Sequence, residues 1–316
     1  MQKILVIRFS SIGDVVLTSP VVRSLKNKGY EVHYLIKPKF VSVIASSPYI
    51  DKIHLFQNVS QSIKELSKEK FDFVVDLQNN YKSRLIRWGL NRPSAGFPKL
   101  NIQKFLVVLF KNRKLLPHKH IVDRYFEATK KLHIENDLKG LNFFIDENKV
   151  SDAIKNFEKP FVALVAGGSY GTKRIPYLKI KEICIHLSPK KIVLLGDTLD
   201  KTLTADIEKE CSNAINLCGQ LNLYESAYLI KQSEFVISSD TGLMHIAAAF
   251  HKKIYSLWGN TIPEFGMYPY MPNPKSKIIQ NNHLWCRPCS KLGYQQCPLK
   301  HFKCMLSLDI KEIDQY

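Results

Sequence analysis

Phe235-Val-Ile-Ser-Ser-Asp-Thr-Gly-Leu-Met-His-Ile-Ala-Ala-Ala-Phe250 is the stretch on which the reading of the fold turns. Its first three residues are strand formers. Ser238, Ser239, Asp240 and Thr241 supply side-chain oxygens suited to capping a helix, and Gly242 lets another group approach the backbone. From Leu243 to Phe250 the apolar surface runs almost all round, which predicts a buried helix. Such a helix, leaving a strand through a polar turn, aims N–H groups and the positive end of its dipole at one point, and that point suits a phosphate. His245, one turn in, is placed to add a donor. A capped core helix with a satisfied histidine would need the same residues, so the stretch alone leaves both readings open.

Working outward, helix and strand signals alternate on both sides of this stretch. In the first half, strands are expected over 3–9, 31–36, 52–56 and 71–77, and helices over 15–28, 41–46, 60–69, 79–90 and 121–133. A charged stretch over 146–159, ending at Pro160, reads as a linker. The pattern then restarts, with strands over 161–165, 191–195 and 254–258 and helices over 176–187, 200–210 and 223–232. Alternation of this kind means parallel sheets covered by helices. The expectation is two doubly wound, Rossmann-like α/β domains, residues 1–157 and 158–316, which face a crevice at the strand carboxyl ends.

Composition narrows the function. The 316 residues carry a net charge of +18, and no apolar run approaches the length of a membrane span. The first residues read as a strand, not as a signal peptide, so a cytoplasmic protein is expected. Residues 82–131 hold 13 cationic and 2 acidic side chains, which implies an anionic partner: nucleic acid, acidic lipid or a phosphorylated glycan. Within them, Lys104-Phe-Leu-Val-Val-Leu-Phe-Lys111 suits either a helix resting on a membrane surface or a core helix with snorkelling lysines.

In the first half the informative turn is Arg8-Phe-Ser-Ser-Ile-Gly-Asp14. Ser10, Ser11 and Gly13 lie where the first strand meets the first helix. The G-x-G-x-x-G spacing is absent, which disfavours a dinucleotide oxidoreductase. Asp14 suits two roles: a carboxylate capping the helix, or a general base facing the crevice.

Three pieces together carry a resemblance. Ile4-Leu-Val-Ile-Arg-Phe-Ser-Ser-Ile-Gly-Asp-Val-Val-Leu-Thr-Ser-Pro20 resembles the opening of the lipopolysaccharide heptosyltransferases, glycosyltransferase family 9. Ser239-Asp-Thr-Gly-Leu-Met-His-Ile-Ala-Ala-Ala249 resembles that family's donor-binding signature, and Gly167-Gly-Ser-Tyr-Gly-Thr-Lys-Arg-Ile-Pro176 its glycine-and-lysine loop. The resemblance implies a GT-B fold, an ADP-heptose donor, and transfer with inversion to the inner core of lipopolysaccharide, a membrane-bound anionic glycan. The enzyme would then be peripheral on the inner face of the cytoplasmic membrane. Asp14 would be the base and Lys173 would neutralise the diphosphate. Ser10, Gly13, Gly168, Ser169, Asp240, Thr241, Gly242 and His245 would line the donor site, with Asp197 at the ribose and Leu221 at the adenine. No cofactor and no metal are implied, and no D-x-D pair occurs in the expected turns. Ile175 stands where the family usually has Trp, which touches the packing of the loop but not its lysine.

Cys286, Cys289, Cys297 and Cys304, with His301 nearby, form a tail whose spacing is unusual for a zinc ribbon. Zinc, a disulfide and reduced packing cysteines are the three readings, the last favoured. The tail also supports a rival function, a basic nucleic-acid-binding protein with a zinc module; on the transferase reading, no nucleic acid is a partner. A transferase of the same fold with a UDP- or GDP-sugar donor is the other alternative.

Overall fold

Buried, uninterrupted apolar runs build two all-parallel sheets, as expected of sheets covered on both faces. The computed structural model describes residues 1–314. Its first sheet consists of β1 (Lys3–Ile7), β2 (Glu31–Ile36), β3 (Lys52–Leu55), β4 (Phe73–Asp76) and β5 (Ser94–Gly96), in the order β3-β2-β1-β4-β5. The second consists of β6 (Val162–Val165), β7 (Ile192–Leu195), β8 (Ala214–Asn216), β9 (Val236–Ser239), β10 (Ile254–Trp258) and β11 (Lys277–Gln280), in the order β11-β10-β9-β6-β7-β8. The helices are α1 (Ile12–Val16), α2 (Ser19–Asn27), α3 (Val59–Leu66), α4 (Tyr81–Leu90), α5 (Asn101–Phe110), α6 (Ile121–Tyr125) and α7 (Asp152–Lys155). They continue with α8 (Tyr177–His186), α9 (Thr198–Leu203), α10 (Ile207–Glu210), α11 (Leu223–Gln232), α12 (Gly242–Ala249) and α13 (Lys303–Leu306).

Each sheet has one point where the strand order reverses: between β1 and β4 in the first, and between β6 and β9 in the second. Loops leaving the carboxyl ends of such a strand pair diverge to opposite faces and leave an opening between them, where ligands bind in folds of this kind. The loops after β1 and β6 are the two expected from sequence to carry chemistry, and the loop after β9 opens the decisive stretch.

The chain divides into two units, but not at one point. The first holds Met1–Lys99 and Lys119–Phe144; the second holds Leu100–His118 and the residues from Ile145 onward. This corrects the single boundary at 157/158. Residues 100–118 belong to the second unit because Val107 and Leu116 are buried there with Ile262 and Phe265, and Arg113 pairs with Glu264 at 2.9 Å. The expected linker is likewise packed on the second unit: Ser151 Oγ donates to Glu225 Oε1 at 2.7 Å, and Asn222 Nδ2 donates to Lys149 O at 2.9 Å.

Other differences have local causes. The helix expected over 15–28 is two, α1 and α2, because Pro20 suits only the first turn of a new helix. The helix expected over 200–210 is also two, α9 and α10. Thr204 follows α9 and turns its hydroxyl back onto Asp200 O at 2.8 Å, a competitor to helix propagation.

Candidate active site

In the first unit the turn after β1 is held by a buried arginine. Arg8 closes the apolar run of β1, and its guanidinium has four partners. Nε donates to Ser10 O at 2.8 Å, and Nη1 donates to Leu77 O at 2.6 Å and to Tyr125 Oη at 3.2 Å. Nη2 pairs with Asp14 Oδ1 at 2.7 Å. Phe9 N donates to Gln78 Oε1 at 2.9 Å, so the loops after β1 and β4 are tied together at the switch point. Burial works against the charge of Arg8, and the opposing pull of Asp14 and its other partners leaves the guanidinium more firmly protonated than usual. Asp14 also caps α1: its Oδ2 accepts from Ser11 Oγ at 2.9 Å and from Ser11 N at 3.3 Å. Asp14 is thus a capping carboxylate and an ion-pair partner that still keeps a quarter of its side chain exposed. Ser10 and Gly13 sit with it in this unit; the other expected donor residues lie in the second.

The second unit assembles those others at its own switch point. The loop after β6 carries residues 166–174 and the loop after β9 carries Asp240 and Thr241. Lys173 Nζ pairs with Asp240 Oδ2, and Thr261 Oγ1 donates to the same oxygen at 3.4 Å. Both partners are largely buried, with side chains 16 % and 11 % exposed. Thr241 is the N-cap of α12, accepting from Met244 N at 3.3 Å, and Gly242 is the helix's first residue. Ser239 Oγ donates to Gly167 O at 3.4 Å, which brings the two loops together. Gly168 has little room: a Cβ there would lie 3.2 Å from that of Lys173. Ser169 is exposed and His245 is buried on α12. The result is one ammonium, one carboxylate and the positive end of a buried helix at a single place.

Asp197 is exposed and caps α9, its Oδ1 accepting from Leu199 N at 2.9 Å and from Asp200 N at 3.2 Å. Its neighbour Asp200 is the more unusual group. Asp200 is buried, its Oδ1 lies 3.2 Å from Arg174 Nε, and burial pushes its carboxyl up to about 6. Arg174 Nε also donates to Gly168 O at 3.1 Å, so this pair braces the lysine loop. Leu221 is half-buried ahead of α11.

The cysteine tail proves to be a second brace. Thr172 N and Thr172 Oγ1 both donate to Tyr294 O at 3.0 Å, and Tyr294 N donates back to Thr172 Oγ1 at 2.8 Å. A Cβ on Gly171 would lie 2.0 Å from the backbone oxygen of Gln295, so only glycine fits beneath the tail. Gly171→Ala is therefore expected to cost about 1–3 kcal/mol through overpacking against backbone that cannot swing aside. It should lower the melting temperature, which a differential-scanning measurement checks.

All seven cysteines are free thiols. Burial pushes the Cys304 thiol up to about 12. Among the described residues, one group of three candidate metal ligands has all its donor atoms within 4.8 Å: His33, His54 and Glu69 in the first unit, not the tail thiols. There His33 Nδ1 lies 3.0 Å from His54 Nε2, and Glu69 is already paired with Lys52 and, at 3.6 Å, with Lys3. That cluster reads as a neutralised hydrogen-bond network at the sheet edge.

Sequence reasoning singled out Asp14, Lys173, Asp240 and Thr241 as candidates, and did not foresee the groups that contact them. Arg8 had a visible signal, a cation closing an apolar strand. Thr172 with Tyr294, and Arg174 with Asp200, had none, because nothing in the sequence ties residues so far apart.

Comparison with known proteins fits this geometry. The profile of "Glycosyltransferase family 9 (heptosyltransferase)" matches residues 59–302. A lipopolysaccharide heptosyltransferase 1 from Campylobacter coli is 25 % identical, over 82 % of this chain and 84 % of its own. A lipooligosaccharide heptosyltransferase 2 from Campylobacter jejuni is 22 % identical, over 96 % and 93 %. Among solved structures, the ADP-heptose LPS heptosyltransferase II of E. coli superposes with a TM-score of 0.69 at 19 % identity, covering 97 % of this chain and 98 % of that one. The two parallel-sheet units therefore make a GT-B fold, and the chain belongs to glycosyltransferase family 9, the heptosyltransferases.

Proposed function

We propose that this glycosyltransferase moves a heptose from ADP-heptose to the inner core of lipopolysaccharide, with inversion at the anomeric carbon. The observation that carries the donor half is the meeting of Lys173, Asp240 and the first turn of α12 at one switch point. Breaking a sugar–phosphate bond puts negative charge on the departing diphosphate. Lys173 and the helix end answer it, the role a divalent cation plays in other transferases. On donor binding the ammonium of Lys173 turns from Asp240 to the diphosphate, and the carboxylate of Asp240 becomes an acceptor for sugar hydroxyls. His245 serves the same sugar or phosphate from within α12, and Gly168 in the loop and Gly242 at the helix start keep side chains out of its way. Ser169, Asp197 and Leu221 complete the donor pocket as proposed contacts.

Asp14 is the proposed general base. It takes the proton of the acceptor hydroxyl as that oxygen attacks the anomeric carbon, while Arg8 fixes the direction of the carboxylate. A lipid-linked acceptor puts the enzyme at the inner face of the cytoplasmic membrane. Among the described residues no helix is long and apolar enough to cross one.

The test is thermal stabilisation by ADP beside UDP, GDP and NAD at equal concentration. A ligand that binds only the folded state raises the melting temperature by mass action, about 2.7 kcal/mol at a hundred times its Kd. A shift selective for ADP is expected, and turnover of ADP-heptose is expected to survive EDTA. A shift with UDP or GDP alone would replace the donor, and no shift with any of them would overturn the reading.

A further inference from the structure

Helix α5 uses one stripe to pack on the second unit. Val107 is buried on that side, and the ammonium of Lys104 lies 5.6 Å from the centre of the Phe265 ring. Ile102, Phe105 and Leu109, at i, i+3 and i+7, form the opposite stripe, and Phe110 borders it. Phe105, Leu109 and Phe110 are 58 %, 59 % and 65 % exposed. A helix on a folded unit normally turns such residues inward, and a contiguous exposed apolar patch marks a surface made for contact.

The loop beside the helix carries a further exposed aromatic. Lys111 Nζ donates to Pro288 O at 2.8 Å, and Arg113 Nη1 donates to Asn282 Oδ1 at 3.0 Å. These bonds fix the carboxyl end of α5 beside the loop that carries Trp285, whose side chain is 75 % exposed. Charge sets the chemistry of what covers this face. Residues 100–118 contain four Lys or Arg and no Asp or Glu, and residues 265–308 contain six, of which Arg287 is buried and Lys277 pairs with Asp314, and again no acid. Glu264 answers Arg113, Lys114 stands exposed at the rim, and Lys111, also exposed, keeps one N–H beyond its bonds to Val108 O and Pro288 O.

We propose that this face of the second unit docks on the surface of an acidic phospholipid bilayer, with Phe105, Leu109, Phe110 and Trp285 entering the interface and Lys111 and Lys114 meeting headgroup phosphates. An apolar stripe, an exposed tryptophan and a cationic rim whose one adjacent carboxylate, Glu264, is already paired are what an interfacial anchor needs. A second copy of the chain fits less well, since two such rims would meet with like charge. The inference rests on the reading that the acceptor is lipid-linked, and gives that reading its docking surface.

The experiment is sedimentation of the full chain with vesicles of phosphatidylglycerol and phosphatidylcholine, against vesicles of phosphatidylcholine alone. Binding to the acidic vesicles is expected, weakened by salt and reduced about tenfold or more in Phe105→Ser/Leu109→Ser and in Trp285→Ser. Lys111→Glu/Lys114→Glu should reduce it as well, and all variants should keep the ADP-induced thermal shift. No binding of the parent chain, or equal binding by the apolar variants, would overturn the proposal. So would a dimer in light scattering that the same substitutions dissociate. Loss of the ADP shift in the parent chain with vesicle binding intact would instead remove the donor reading and leave the docking face standing.

Discussion

Asp14→Asn is expected to lower kcat by about a hundred- to ten-thousand-fold while leaving ADP affinity within a few-fold. The amide keeps the shape of the side chain and an oxygen that can accept from Ser11, so the cap on α1 is largely preserved. It cannot take up a proton at neutral pH. The complication is Arg8. Its buried guanidinium loses its carboxylate partner, and stranding a buried charge costs about 3–5 kcal/mol when no other group answers it. The Leu77 and Ser10 carbonyls and the Tyr125 hydroxyl remain to soften that cost. Activity must therefore be read per folded molecule, with the melting temperature measured alongside. Ser11→Ala is the control. It removes one cap bond to the same carboxylate and leaves the base, so it should lose stability of about 1 kcal/mol and little turnover. If Asp14→Asn lost stability but kept its rate, Asp14 would be a structural carboxylate and no more.

How much of this was legible in the sequence follows from what each piece depends on. The fully buried strands were readable because a strand covered on both faces must be a continuous apolar run, as in Ile192–Leu195 and Ile254–Trp258. The edge strands Ser94–Gly96, Ala214–Asn216 and Lys277–Gln280 were not, because they lie at the sheet margins and lack a fully buried apolar run. The loops after β1, β6 and β9 stood out because caps, glycines and charges cluster there locally. The sequence could not give their supports. Thr172 meets Tyr294 across 122 positions, and Arg8 meets Tyr125 across 117, by chain path alone. The same holds for α5. Its residues allowed a membrane-facing or a core helix, and the structure buries one stripe and leaves the other exposed.

Lys173→Ala is expected to weaken ADP binding by about ten- to a hundredfold and to lower turnover further, and Asp240 makes that expectation sharp. A hydrogen bond from a charged donor is worth about 1.5–3 kcal/mol, the loss expected if the ammonium touches the diphosphate. That ammonium is engaged by Asp240, so on the proposed reading donor binding breaks one ion pair to make another. On the proposed reading, removing Lys173 would do two things: delete a contact to the diphosphate, and leave the Asp240 carboxylate to repel it. The double variant Lys173→Ala/Asp240→Asn separates them. If Lys173 serves only to neutralise Asp240, the double variant should bind ADP as the parent does. If Lys173 bears on the diphosphate, the double variant should recover only part of the affinity, leaving a deficit of about tenfold. Isothermal titration with ADP across the four proteins measures the coupling directly. Turnover should fall more than affinity in Lys173→Ala, because the charge on the leaving diphosphate is greatest as the sugar bond breaks. Equal ADP affinity in the single variant and the parent would take Lys173 out of the donor site.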